Sequence, residues 1–198
     1  MISTRTSARA ALATTLLLLA PSLAHAHTGV GTGAGFAHGF VHPLGGLDHL
    51  LAMLAVGLLA AQRGGRALWS VPAAFAAMML GGFVLGVAGI AVPGVEVAIA
   101  ASVAVLGGAA ARRNAVPGIL AVAIAGGFAL FHGHAHAAEM PVASTSAAFA
   151  AGFLAATLLL HAAGVALAMG MRTGLTQRLC LDRLIGAGIA MAGLLLLI

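Results

Sequence analysis

Five polar or turn-forming breaks divide residues 44 to 198 into six long apolar runs. The breaks are "QRGGR" (62 to 66), "VPG" (92 to 94), "RRNAVPG" (112 to 118), "EMPVASTS" (139 to 146) and "RTGLTQR" (172 to 178). Between them lie runs at roughly 44 to 61, 67 to 91, 95 to 111, 116 to 136, 146 to 171 and 181 to 198. Each is near the length that a helix, rising about 1.5 Å per residue, needs to cross a hydrocarbon core of about 30 Å. None shows the apolar/polar alternation of barrel strands. In lipid only helices or a closed barrel satisfy every backbone N–H and C=O. The pattern predicts an all-α, polytopic membrane protein, a bundle of six transmembrane helices.

Composition strengthens that reading. The chain is 62% hydrophobic and 7% charged, with a mean hydropathy of +1.12, far from the range of soluble domains. Its net charge of +5 comes from nine arginines with no lysine. They are widely spaced along apolar sequence rather than gathered in a patch, so nucleic acid is not an expected partner. A single cysteine, Cys180, excludes an internal disulfide.

Residues 1 to 26 carry Arg5 and Arg9, then "ALATTLLLLA", then "AHA" ending at Ala26. This order of basic, apolar and small residues is that of a secretory signal, with cleavage expected before His27. The mature domain, 27 to 198, then starts outside. The odd-numbered connections fall in the cytoplasm and hold Arg63, Arg66, Arg112, Arg113, Arg172, Arg178 and Arg183, while the even-numbered ones hold none. That asymmetry follows the positive-inside rule and places both mature termini outside a bacterial inner membrane.

The remaining polar residues collect on the outer side. His38, His42, Asp48 and His49 lie before or in the outer half of the first run, and Glu96 opens the third. His132, His134, His136 and Glu139 end the fourth, and His161 lies deeper in the fifth. A charge within a span costs roughly 2.5 to 3.5 kcal/mol on insertion scales, so Asp48 and Glu96 require partners or a wet cavity. In "FHGHAHAAE" (131 to 139), His132 and His136 are spaced i, i+4 and Glu139 follows by three, which sets all three on one helical face with His134 turned away. In "HPLGGLDH" (42 to 49), Pro43 suits the first turn of a helix, with His42 at its entrance. His42 and His49 then stand about 10 Å apart along the axis, too far for one ion unless "PLGG" bends the start. Asp48 can ligate beside His49 or orient its ring. Imidazole with carboxylate suits Ni2+, Co2+, Zn2+ or Cu2+. The metal candidates are His42, Asp48, His49, Glu96, His132, His136 and Glu139, with the ion as cargo or bound ligand and no prosthetic group expected.

These two motifs resemble those of the HupE/UreJ family of bacterial nickel permeases, HPxxGxDH in the first span and FHGxAHGxE around the fourth. "HPLGGLDH" fits throughout, and "FHGHAHAAE" fits except that Ala137 replaces the second glycine. "VPGVE" ending at Glu96 and "TLLLHAAG" containing His161 are also similar to family positions. The resemblance implies uptake of Ni2+, with cobalt in some members, for hydrogenase or urease assembly, and hence a link to the maturation proteins of those enzymes. The chain contains no lysine and no Walker-type phosphate loop, so ATP hydrolysis by that route is excluded and the expected protein is not an enzyme. Two rival readings stand beside transport. One is an intramembrane zinc hydrolase, which needs an open coordination position and a cleft. Ser102, the serine nearest the cluster within a span, is assigned to packing. The other is a metal-sensing or metal-storing membrane subunit without flux.

Overall fold

The computed structural model describes residues 32–112, 116–172 and 180–198, with side chains from Gly35 onward. Among the described residues there are seven helices and no strand: α1 (Thr32–Gly45), α2 (Leu47–Arg63), α3 (Ala67–Val87), α4 (Val95–Ala111), α5 (Gly118–Ala138), α6 (Ser146–Gly170) and α7 (Leu181–Leu195). The expected signal peptide, its cleavage point before His27, and Arg113 and Arg178 lie outside the described residues.

Helices α2 to α7 begin and end within four residues of the six apolar runs. Not every one reaches spanning length. α3, α5 and α6 are each long and apolar enough to cross a membrane, and α1 with α2 passes the same test as a pair bent by 83°. Three to four helical spans therefore follow from length and composition alone. α4 has 17 residues and α7 has 15, or about 25 and 22 Å at about 1.5 Å per residue. Large apolar side chains also face outward, among them Trp69, Val97, Ile119, Leu159 and Leu184. Helices apolar on all sides are at home in lipid.

The helix α1 is an addition to the pattern. The first run was expected to start near residue 44 with Pro43 in its first turn. Instead Pro43 lies in the last turn of α1, and the chain turns at Gly46 before α2 begins. Gly46 has an extended backbone (φ −98°, ψ 119°), which ends one helix and starts the next. A side chain there would crowd Asp48 Oδ1 and His49 Nδ1.

Small residues set the spacing of the bundle. α3 packs most extensively on α5, α4 on α7, and α6 on both α1 and α2. At the α3/α5 crossing a Cβ on Gly82 would strike the Leu130 carbonyl, and one on Gly133 the Met79 carbonyl. The α1/α6 crossing has the same character, with Gly39 against the Phe149 carbonyl and Gly152 against that of Phe36. Such close approach gains dispersion contact where lipid offers no hydrophobic drive. Phe75, Met79, Phe83, Phe149, Phe153 and Met53 fill the centre.

The two ends of the bundle differ in chemistry. At one end the Arg172 guanidinium donates to the Ala61 carbonyl, Arg183 Nε donates to the Ala111 carbonyl at 3.1 Å, and Gln62 Nε2 donates to Asp182 Oδ2 at 3.2 Å. The opposite end carries His38, His42, His49, His132, His134 and His136 with the other three acidic residues.

Candidate metal site

At the histidine end a cavity of about 310 Å³ is lined by His42, Asp48, His49, Glu96 and Glu139, with the Gly45–Gly46 backbone in its wall. The 83° turn at Gly46 makes this possible. It swings His42, in the last turn of α1, back over the start of α2 instead of leaving it about 10 Å up a straight helix. His42 Nε2 then lies 2.6 Å from Glu139 Oε2 at the end of α5.

Beneath the cavity the imidazoles pack against one another. The His136 ring centroid is 5.0 Å from that of His42 and 4.8 Å from that of His49, and His49 lies 4.6 Å from His132. His136 also stacks flat on Phe153, at 4.7 Å and 11°. His132 and His136 are fully buried and His49 nearly so.

Two oxygens select the tautomers. His49 Nδ1 lies 2.8 Å from Asp48 Oδ1, and as an acceptor-only carboxylate Asp48 makes Nδ1 the protonated nitrogen. His49 Nε2 is left with its lone pair, buried and without a partner. Ser102 Oγ donates to the Ile99 carbonyl at 2.6 Å, which uses its only proton. It therefore accepts from His132 Nε2–H at 2.8 Å, and His132 Nδ1 becomes the free lone pair. His136 has neither nitrogen engaged. Four unpartnered imidazole nitrogens are thus buried together. Each unsatisfied buried group costs roughly 1–3 kcal/mol, and together they are an expense that a purely structural core would avoid.

The seven residues expected from sequence are brought together, in two layers. His42, Asp48, Glu96, Glu139 and the edge of His49 surround the cavity, while His132 and His136 lie below it. The side chains are gathered rather than converged: among the described residues no three His, Cys, Asp or Glu side chains meet at metal-ligand spacing. His134 faces the other way, its Nε2 donating to the Ile90 carbonyl at 2.9 Å. His38 is exposed on α1. Ser102 differs from its expected packing role, since it is bonded directly to His132; a hydroxyl in an otherwise apolar stretch was the available signal. Ala137, which departs from the family motif, packs at Gly86 of α3, where a second Cβ would not fit. A glycine is thus still present at this contact, on the facing helix.

Apolar helices closed at one end by a buried histidine cluster under a carboxylate-lined cavity are the build of a helical membrane protein with a polar site at one end. Its relatives make the class particular. A family model described as "HupE / UreJ protein" matches residues 15–196. "Protein HupE" of Rhizobium leguminosarum bv. viciae is 47% identical over 188 residues, covering 94% of this chain and 97% of the relative. The chain belongs to the HupE/UreJ family. No solved structure matches it.

Proposed function

We propose that the protein is a permease for a divalent transition-metal cation, Ni2+ in the first place and Co2+ in the second, carrying it inward across the bacterial inner membrane without ATP hydrolysis. In this reading a signal peptide is removed before His27, six helices span the bilayer, the histidine end faces outside, and the arginine end faces the cytoplasm. The gathering of arginines at one end of the bundle supports the orientation. Trp69, exposed near the arginine end of α3, suits the headgroup level.

The observation that carries the reading is the set of unpartnered nitrogens on His49, His132 and His136, buried under Asp48, Glu96 and Glu139. The carboxylates concentrate a hydrated divalent cation in the cavity and offset part of its dehydration. Rotation of the imidazoles then supplies neutral nitrogen donors, the ligand type that suits nickel and cobalt over magnesium and calcium. Binding must remain weak enough for release inward. An inside-negative potential favours entry by about 2.3 kcal/mol per charge per 100 mV, doubled for a divalent ion. Once inside, the metal would pass to hydrogenase or urease maturation proteins.

The test is uptake of labelled Ni2+ by sealed proteoliposomes holding the purified protein under an inside-negative potential. Accumulation above that of protein-free vesicles is expected. Binding without accumulation would instead indicate a sensing or storing subunit.

A further inference from the structure

The ladder of rings does not end at the outer cluster. Phe75 on α3 stands next, its centroid 5.6 Å from that of His132, and 5.1 Å beyond it lies His161 of α6, edge to face at 89°. His161 is fifteen residues into α6, about 22 Å from its first residue at about 1.5 Å per residue. His132 is only six residues, about 9 Å, from the end of α5. His161 is therefore the deeper imidazole.

Its surroundings are unusual for a packing residue. His161 is 2% exposed, and neither ring nitrogen has a hydrogen-bond partner. One turn nearer the outer cluster on the same face of α6, Thr157 Oγ1 lies 3.4 Å from Met53 Sδ and 3.8 Å from Met79 Sδ, all three residues fully buried. On its other flank His161 helps to wall an apolar cavity of about 470 Å³ between α3 and α6, beside Leu68, Pro72, Leu158 and Val165. It is the only titratable side chain among the residues that line this cavity. Leucine or phenylalanine would fill such a place without burying two unmatched polar atoms.

We infer that His161 is an inner binding station for the transported cation, reached from the outer histidines past the Phe75 ring, with the thioethers of Met53 and Met79 gathered around Thr157 one turn of α6 away. The inference rests on the uptake reading above. A neutral imidazole with neutral sulfur and hydroxyl neighbours offers donors without charge. That set holds a borderline or soft cation loosely, as an ion in transit requires, and offers little to strongly hydrated Mg2+ or Ca2+.

The full chain, labelled with 15N at its histidine rings and held in detergent, provides the direct test, with Zn2+ as a diamagnetic probe and His161→Phe to assign the His161 signals. Zn2+ should move a ring-nitrogen resonance of His161, and Mg2+ should not. In proteoliposomes His161→Phe, which keeps an aromatic ring but no donor nitrogen, should lower Ni2+ uptake at least about tenfold, and His161→Met, which returns a soft donor, should recover it to within about threefold of wild type. The outer histidines should still respond to Zn2+ in both variants. A His161 resonance that stays still at Zn2+ levels moving that of His136 overturns the inference, as does unimpaired uptake by His161→Phe. Wild-type vesicles that accumulate no Ni2+ would instead sink the uptake reading, while the resonance still decides whether His161 holds a cation.

Discussion

His49 and His132 stand edge to face between α2 and α5, ring centroids 4.6 Å apart, and each has one nitrogen engaged by a side-chain oxygen. Asp48 engages His49 from the same turn of α2, and Ser102 engages His132 from α4. Three helices thus determine which two lone pairs are offered. The charge of Asp48 and the neutrality of Ser102 make separable predictions.

Asp48→Asn keeps the shape and leaves an oxygen to accept from His49 Nδ1–H, yet removes the negative charge beside the cavity. Ni2+ uptake should fall at least about tenfold, equivalent to roughly 1.4 kcal/mol. Asp182→Asn, at the arginine end beside Gln62, should stay within about twofold of wild type. Equal losses in the two variants at equal protein level would remove Asp48 from its role.

Ser102→Ala takes away the acceptor that holds His132 in its Nε2–H form. Loss of a group that orients a ligand typically weakens metal affinity by about 10–100-fold, and about tenfold is expected here. The decisive signature is the 15N spectrum of His132, which should change from one tautomer to a mixture. A His132 ring that keeps its tautomer in the variant refutes the assignment.

His136→Ala and His134→Ala separate a buried site from a mobile histidine-rich loop. His136 lies inside, between His42, His49 and Phe153, whereas His134 only bonds the Ile90 carbonyl. Uptake at low external Ni2+ should drop at least about tenfold for His136→Ala, again roughly 1.4 kcal/mol. For His134→Ala it should stay within about twofold, since the lost bond contributes only about 0.5–1.5 kcal/mol to stability. Similar losses would favour a loop that gathers cations by local concentration.

Gly133→Ala adds one methyl where the Met79 carbonyl already touches α5. Overpacking of this kind costs about 1–3 kcal/mol, so the midpoint of thermal unfolding in detergent should fall. Gly127→Ala, at an open position on the same helix, should leave it unchanged or raise it slightly. A midpoint unchanged by Gly133→Ala would show that α3 and α5 are not in contact there.

Helix positions were readable because arginine, proline and glycine interrupt long apolar runs of near-spanning length. α1 was not, since "GVGTGAGFAHGF" has little helix propensity and no helical apolar stripe. Its support is tertiary, the close crossing with α6 at Gly39 and Gly152. For the same reason Pro43 misled: a proline that suits a first turn is tolerated here in a last one. Within the site, the i, i+4 rule put His132 and His136 together and turned His134 away. The contacts of His42 with Glu139, and of His132 with Ser102, join helices distant in the chain, and no local spacing encodes them.

The glycine crossings bear on the kind of motion open to this protein. Where two helices meet backbone to backbone, sliding one past the other drives carbonyls into Cα atoms. α1, α3, α5 and α6 are thereby riveted in pairs. Translation of whole helices by a turn, the slow route of many carriers, is closed to those pairs. Within those pairs what remains free is torsion: imidazole, carboxylate and phenyl rotations, which belong to a far faster class of motion than domain rocking. If the proposed uptake reading holds, those crossings act as a stiff frame around moving side chains, and throughput is set by how quickly one ring hands a cation to the next.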